Sequence, residues 1–279
     1  MINIPALASE LTAAFAERRT LPTPPSARDG LDLPTAYAVE RELVRMRRSE
    51  GHATAGVKVG FANKAMWRVL KLETLVWAHM YDHTVRYAAA NAATLSIAHM
   101  ISPKIEPEIV FKMRAPLAAG TTDAAAALEA VEWLALGFEI IDCPYADWKY
   151  QPADFVAAYG LHAALIVGEP RPVMEDGIPA LVEQLSTFKV GLSKDGQLVA
   201  AGSGRNSLRS PALCLAELAS AMAKQDGAEP PAAGDLVSSG TLTESTPIQP
   251  GATWTVSVEG IELPGLRLTL VGAEEHHCL

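Results

Sequence analysis

The chain has few cysteines, no long apolar run and no recognisable export signal. Its 279 residues include three cysteines, Cys143, Cys214 and Cys278, and no Cys-x-x-Cys pair. This pattern argues against a disulfide framework and a cysteine-based zinc site, and it favours a reducing cytoplasm. No apolar run approaches the roughly 18 residues that a membrane-spanning helix needs, and the N-terminus lacks a basic region followed by an apolar core. We therefore expect a cytoplasmic protein with no membrane partner.

Basic residues are also in short supply. The chain has 23 Lys and Arg against 32 Asp and Glu, which gives a net charge of −9. Nucleic acids and anionic membrane surfaces require a basic face, so neither is expected as a partner. An anionic small molecule is compatible with this balance only if a metal, a lysine or an arginine supplies a local positive centre.

Length and hydrophobic pattern predict a β-rich enzyme-sized domain. We expect a helical appendage at 1–54 and a β-rich catalytic domain at 55–279, which together could count as one domain, 1–279. Many short strand patterns and few helices indicate an α+β fold with a mixed, largely antiparallel β core. Helices are predicted at 5–19, 34–49, 66–72, 123–135 and 210–224. His276 and His277, near the C-terminus, are expected to be solvated rather than ligands.

Carboxylates stand inside two apolar strand patterns. Glu106 and Glu108 are two residues apart, so an extended chain sends both side chains to one face. Glu139 lies in a second strand of the same kind. If all three face the interior, a cation must hold them together, and oxygen-only ligation suits Mg²⁺ first, then Mn²⁺ or Ca²⁺. The alternative is that they face solvent on ordinary strands.

Other residues allow both a functional and a structural interpretation. Lys58 stands among apolar residues between two glycines and is either an active-site group or a surface lysine. The turn containing Ser239 and Thr241 could cradle a carboxylate or be a plain β-turn. Arg205 and Asn206 lie in a Gly-rich loop before a capped helix, where they could close over a ligand.

Five separated motifs occur in an order that resembles a known family. They are Gly56-Val57-Lys58-Val59-Gly60, Glu106-Pro107-Glu108, Gly137-Phe138-Glu139-Ile140, Gly204-Arg205-Asn206-Ser207-Leu208 with Pro211, and Ser239-Gly240-Thr241 with Pro247 and Pro250-Gly251. Together they resemble the 2-oxo-acid hydratase and decarboxylase branch of the fumarylacetoacetate hydrolase superfamily. That branch includes 2-hydroxypentadienoate hydratase and 4-oxalocrotonate decarboxylase.

The resemblance implies a fold, a metal and a set of catalytic residues. It implies a fumarylacetoacetase-like β-roll with N-terminal helices alongside. Mg²⁺ or Mn²⁺ would be held by the positions that match the family's three acids, Glu106, Glu108 and Glu139. The family's active-site lysine matches Lys58, for which a neighbouring dication predicts a depressed pKa. Asp82 matches a further acid of the family.

One stretch departs from the pattern of the family's hydratases. Where they commonly carry a run of small polar residues, this chain has Ala158-Tyr159-Gly160-Leu161-His162-Ala163-Ala164. His162 could act as a general acid or base in place of a serine's hydrogen bond, or it could be a structural histidine at a strand end.

Four functions remain open. The first is a metal-dependent hydratase that adds water to an unsaturated 2-oxo or 2-hydroxydienoic acid in aromatic meta-cleavage catabolism. The second is decarboxylation of a vinylogous 2-oxo dioate such as 4-oxalocrotonate, and the third is C–C bond hydrolysis of an acylpyruvate. The fourth, of a different class, is a non-catalytic partner subunit of the same fold. A homo-oligomer is expected, and it could associate with a pathway enzyme.

Overall fold

Helices at the N-terminus pack against a body made of two β-sheets. The computed structural model describes residues 2–273, so the expectation for His276 and His277 lies outside the described residues. Its helices are α1 (Ile4–Ala16), α2 (Pro25–Asp29), α3 (Leu33–Ser49), α4 (Lys64–Leu70), α5 (Ala124–Glu129), α6 (Pro152–Ala157), α7 (Ile178–Thr187) and α8 (Pro211–Ala223). None of these helices is long and apolar enough to span a membrane.

The strands form a larger and a smaller sheet. They are β1 (Thr54–Gly60), β2 (Val76–Tyr81), β3 (Val85–Tyr87), β4 (Ala92–Ser96), β5 (Pro103–Met113), β6 (Val131–Asp142), β7 (His162–Val167), β8 (Arg171–Pro172), β9 (Lys189–Lys194), β10 (Gln197–Ser203), β11 (Leu236–Ser238), β12 (Thr246–Pro247), β13 (Thr253–Glu259) and β14 (Leu266–Val271). The larger sheet runs in the order β2-β1-β11-β5-β6-β7-β3, with β12 on β5 and β8 on β6. The smaller sheet runs β10-β9-β13-β14-β4.

Most neighbouring strands in both sheets are antiparallel. Within residues 2–273, parallel pairing occurs between β1 and β11, β3 and β7, and β4 and β14. The prediction of an α+β fold with mixed, largely antiparallel sheets is therefore confirmed. A hairpin turn at Asp195 and Gly196 joins β9 to β10.

Some predicted element boundaries are wrong. The helix expected at 123–135 ends at Glu129, and residues 131–135 belong to β6 instead. Pairing with β5, which sets Leu134 opposite Phe111, outweighs the helical preference of this alanine-rich segment. Helices α2, α6 and α7 were not predicted; α2 and α6 are too short, at five and six residues, to show an amphipathic repeat.

The order of the strands explains how distant residues meet. Strand β5 pairs with β6 so that Glu106 stands opposite Glu139. On its other side β5 pairs with β11, and β11 pairs with β1 so that Ser238 stands opposite Lys58. Four strands from separate parts of the chain therefore bring one lysine and the predicted acids into one region of the larger sheet.

The N-terminal helices share a hydrophobic core with the sheets. One cluster of buried side chains extends from Leu7 and Leu11 of α1 to Leu268 and Leu270 of β14. This continuity supports the proposal that the helical segment 1–54 and the β-rich segment 55–279 form one folding unit.

A buried polar contact joins α3 to β2. Glu40 Oε1 accepts a hydrogen bond from the backbone N–H of His79 at 3.1 Å and lies 2.7 Å from His79 Nδ1. Burial acts to lower the pKa of His79, but the hydrogen bond and charge of Glu40, with the charge of Glu229, outweigh burial and the opposing charge of Arg48. The pKa of His79 is therefore raised, and the ion pair of Glu40 with His79 connects α3 to β2 of the larger sheet.

This contact predicts a pH-dependent stability. A histidine with a raised pKa in the folded state contributes stability that is present below its ordinary pKa of 6.5 and lost as pH rises through the raised value. We expect the free energy of unfolding in saturating Mg²⁺ to fall between pH 6 and pH 9 by more in the wild type than in His79→Gln. The exposed His99→Gln serves as a control and should follow the wild type. Urea denaturation at each pH measures the difference, and equal slopes for wild type and His79→Gln would contradict it.

Candidate metal centre and active site

Three carboxylates converge in the larger sheet. Glu106 and Glu108 extend from β5 and Glu139 from β6, and one oxygen of each lies within 4.8 Å of the others. Glu108 and Glu139 are buried, with exposed fractions of 1% and 0%, while Glu106 is half-buried. Of the two placements left open by the sequence, Glu108 and Glu139 take the interior one, and Glu106 is partly exposed.

Glu108 is held in place by the turn that follows β11. Its Oε2 accepts hydrogen bonds from Ser238 Oγ and from the backbone N–H of Gly240, the latter at 2.9 Å. Its Oε1 is buried and has no hydrogen-bond partner among the described residues. An unpartnered buried carboxylate oxygen is costly, and a cation at this point would remove that cost.

Lys58 lies beside Glu139 inside the protein. Its Nζ is 2.8 Å from Glu139 Oε2, and its exposed fraction is 2%. The ammonium group also stands 4.9 Å from the centroid of the Phe155 ring, a cation–π distance. The interpretation of Lys58 as a surface lysine is therefore wrong, because its charge is balanced by a buried carboxylate rather than by water.

Burial and neighbouring charges shift the pKa values of the three glutamates in different directions. Burial, followed by the charge of Glu139, raises the pKa of Glu108 well above its usual range, and burial raises the pKa of Glu106 to about 7. Burial also acts to raise the pKa of Glu139, but Lys58 and His162 outweigh it and hold that pKa below its ordinary value.

The carboxylates around Lys58 shift its pKa. Burial acts to lower the pKa of Lys58, yet Glu139, Glu106 and Glu108 together raise it. The depressed pKa predicted for a lysine beside a dication is therefore not found for the protein alone, where three carboxylates face the ammonium group.

His162 contacts Glu139 with one ring nitrogen and Thr84 with the other. Its Nδ1 lies 2.9 Å from Glu139 Oε1, and its Nε2 lies 2.9 Å from Thr84 Oγ1. Both ring nitrogens are engaged, and the side chain is buried. This geometry suits a residue that orients Glu139, in the way that a carboxylate partner orients a metal-binding histidine. His162 does not line the cavity in front of the carboxylates.

A cavity of about 610 Å³ opens in front of Lys58, Glu106 and Glu108. Of the predicted substrate-binding residues, the structure brings Arg205, Asn206 and Thr241 to its wall, although the Asn206 amide donates to the carbonyl of Leu242 at 2.8 Å. The remaining lining includes Phe61, Asn63, Lys64, Tyr150, Phe155, Arg209 and Glu244. Asn63 and Lys64 were not predicted as site residues, although their position just after the Gly56–Gly60 motif could have indicated that they lie near Lys58.

Ser239 and Asp82 also lie outside the cavity wall. Ser239 is fully buried, and the N–H group of the next residue, Gly240, binds Glu108. The turn therefore cradles a carboxylate of the protein itself. Asp82 is exposed and lies in a separate surface cluster with His52 and His83. A catalytic role for Asp82 remains a prediction that this placement does not support.

The residues present fit a divalent metal ion. Glu106, Glu108 and Glu139 offer an oxygen-only donor set, and Glu108 Oε1 lacks another partner within residues 2–273. Three carboxylates facing one ammonium group leave two negative charges, which a dication neutralises. Hard cations such as Mg²⁺ and Mn²⁺ prefer oxygen ligands. These three glutamates are the residues that would hold the ion.

The chain is similar in sequence to proteins named as hydratases and decarboxylases. No family model matches the chain. It is 26% identical to 4-oxalocrotonate decarboxylase of Pseudomonas sp. strain CF600 over 256 residues, 92% of this chain and 93% of that protein. It is 27% identical to 2-hydroxyhexa-2,4-dienoate hydratase of Comamonas testosteroni over 261 residues, 93% of this chain and 95% of that protein.

The fold matches a solved structure over almost its whole length. The structure of 4-oxalocrotonate decarboxylase from Pseudomonas putida G7, complexed with magnesium and adipate, superposes with a TM-score of 0.85 at 24% identity. The match covers 97% of this chain and 99% of that one. The resemblance to the 2-oxo-acid hydratase and decarboxylase branch is confirmed by these similarities.

The contacts of the carboxylates predict a graded loss of metal affinity. Glu108→Gln removes a ligand charge but keeps the side-chain shape, so we expect Mg²⁺ and Mn²⁺ to bind at least about 100-fold more weakly. His162→Asn loses the contact that orients Glu139, and we expect a smaller loss, roughly 10-fold. Glu244→Gln changes an exposed acid of the cavity wall and should bind metal like the wild type.

Isothermal titration calorimetry measures these affinities, and circular dichroism checks that each variant is folded. Equal affinities for Glu108→Gln and Glu244→Gln would contradict the assignment of the ligands. A loss in His162→Asn as large as that in Glu108→Gln would make the histidine a ligand rather than an orienting residue.

Proposed function

We propose that this chain, a relative of the 2-oxo-acid hydratases and decarboxylases of the fumarylacetoacetate hydrolase superfamily, is a divalent-metal-dependent lyase of unsaturated 2-oxo acids. Its first proposed reaction is addition of water to a 2-hydroxydienoic acid in aromatic meta-cleavage catabolism. The observation that carries the proposal is the cluster of Glu106, Glu108 and Glu139 beside the buried Lys58, at one end of a cavity large enough for a small organic acid.

The residues divide the chemistry between them. An ion held by the three glutamates supplies Lewis-acid stabilisation of the enolate that a 2-oxo acid forms. Lys58 lines the cavity, and the carboxylates around it raise its pKa, which favours the protonated form. It can therefore deliver a proton to the substrate or pair with the substrate's carboxylate. The Phe155 ring lies 4.9 Å from Lys58 Nζ and contributes to the burial of that group, whose exposed fraction is 2%.

A second candidate reaction is decarboxylation of a vinylogous 2-oxo dioate. The observation that favours it is the charge of the cavity wall, which carries Lys64, Arg205 and Arg209 in addition to Lys58. These cations suit a substrate with a second carboxylate, because guanidinium groups pair well with carboxylates. The conjugated 2-oxo group accepts the electron pair released when CO₂ leaves and becomes an enolate of the same kind, so one site could serve both reactions.

Two wider features of the protein are also proposals. A homo-oligomer, which could associate with a pathway enzyme, is proposed by analogy with the superfamily, and light scattering on the purified protein tests it. A cytoplasmic location is proposed from the cysteine content; Cys143 and Cys214 are buried and not in disulfides.

Product analysis tests the proposed function. The full-length protein with Mg²⁺ is incubated with 2-hydroxypentadienoate and, separately, with 4-oxalocrotonate, and products are identified by mass spectrometry. Hydration of the first supports the hydratase, and release of CO₂ from the second supports the decarboxylase. Turnover of neither substrate would contradict both.

A matched pair of lysine variants assigns the proton-holding group. We expect Lys58→Met to lower kcat by roughly 100-fold or more, the usual contribution of a positioned acid or base. Its Mg²⁺ affinity should be undiminished, because removing the ammonium leaves Glu139 free for the metal. Lys64→Met, on the cavity wall, should keep most of its kcat. Equal turnover by the two variants would exclude Lys58 from the chemistry.

A further inference from the structure

A second group of metal-binding side chains lies on the surface, apart from the three glutamates. His52, Asp82 and His83 each offer a ligand atom, and these atoms lie within 4.8 Å of one another. His52 follows α3, while Asp82 and His83 follow β2. We propose that His52, Asp82 and His83 form a transition-metal site that takes Zn²⁺ or a similar borderline cation.

The distances between the ligand atoms fit zinc. Asp82 Oδ1 lies 3.4 Å from His52 Nδ1 and 3.3 Å from His83 Nδ1. Zinc binds histidine nitrogen and carboxylate oxygen at about 2.0–2.2 Å in tetrahedral geometry, which separates two ligand atoms by about 3.3–3.5 Å. Two of the three spacings therefore already match a zinc site, and the two histidine ligand atoms lie within 4.8 Å of each other.

The backbone holds the carboxylate in position. Asp82 accepts hydrogen bonds from the N–H groups of Ala53 at 3.2 Å and His83 at 2.7 Å. In return, the Asp82 N–H donates to the carbonyl of Ala53 at 3.0 Å. This reciprocal pair joins the chain after α3 to the end of β2. This pair of hydrogen bonds brings His52 and His83 side by side, so main-chain contacts position the residues of the site.

The two imidazole rings lie close together. The rings of His52 and His83 are 3.8 Å apart between centroids at an angle of 36°. Two protonated rings this close repel each other, whereas two neutral rings can bind one cation. The side chains are about one-third to one-half exposed, so an ion reaches them from solvent and water can complete the coordination.

The donor atoms of the surface site differ from those of the buried glutamates. Imidazole nitrogen favours Zn²⁺ and neighbouring transition metals, while carboxylate oxygens alone favour Mg²⁺ and Mn²⁺. Excess Mg²⁺ is therefore expected to fill the glutamate site and leave the histidines to zinc. The two sites are connected: Thr84, in the same turn as Asp82 and His83, contacts His162, which in turn contacts Glu139.

Zinc titration in the presence of excess Mg²⁺ tests the proposal. The experiment uses the full chain with the substitutions His276→Asn and His277→Asn, so that these two histidines cannot bind the zinc. Isothermal titration calorimetry with Zn²⁺ gives the stoichiometry, and visible absorption after addition of Co²⁺ reports the coordination geometry. We expect one equivalent to bind, and binding to weaken at least about 10-fold in His52→Asn and in His83→Asn.

Two controls separate this site from others. His99→Asn, which removes an exposed histidine outside the cluster, should leave zinc binding unchanged. Glu108→Gln, which disables the glutamate site, should also leave it unchanged. The proposal is overturned if zinc binding survives both His52→Asn and His83→Asn, or if it disappears in Glu108→Gln. Because His52 and His83 are partly exposed, circular dichroism should show intact folding of His52→Asn and His83→Asn.

Discussion

Burial of three carboxylates next to a single lysine is the constraint on which the rest of the structure depends. Removing such charges from water is expensive, and that cost must be met by charges and hydrogen bonds around them. Lys58 and His162 stabilise the charge of Glu139, while Ser238 and Gly240 bind Glu108. The negative charge that remains is what makes this region of the sheet suitable for a divalent cation.

The strand order turns that local constraint into a site. Strand β1 contributes the lysine, β11 the turn that binds Glu108, and β5 and β6 the carboxylates. Because each group extends from a hydrogen-bonded strand, its position is set by a rigid scaffold rather than by a loop. The cavity wall is built from loops and short helices, including the segment around Arg205, and this is where substrate preference can vary without disturbing the metal ligands.

Local sequence patterns were sufficient for some features and insufficient for others. The two-residue spacing of Glu106 and Glu108 implies a shared face on any strand, but only the structure shows that Glu108 is buried and Glu106 partly so. An alanine-rich segment satisfies helix propensity, yet part of it joins β6 because long-range pairing is worth more than that weak preference. Lys58 could not be placed from spacing, because an isolated lysine among apolar residues is compatible with both a wet surface and a buried ion pair.

The sequence by itself determined the class of fold, the oxygen-rich donor set and the type of cation that suits it, since these follow from alternation and residue chemistry. Only the tertiary structure decided that Lys58 pairs with Glu139, that both nitrogens of His162 are occupied, and that Asp82 meets His52 and His83 at the surface. The physical reason is that these contacts join residues far apart in the chain. They depend on strand register and packing, which local periodicity does not encode.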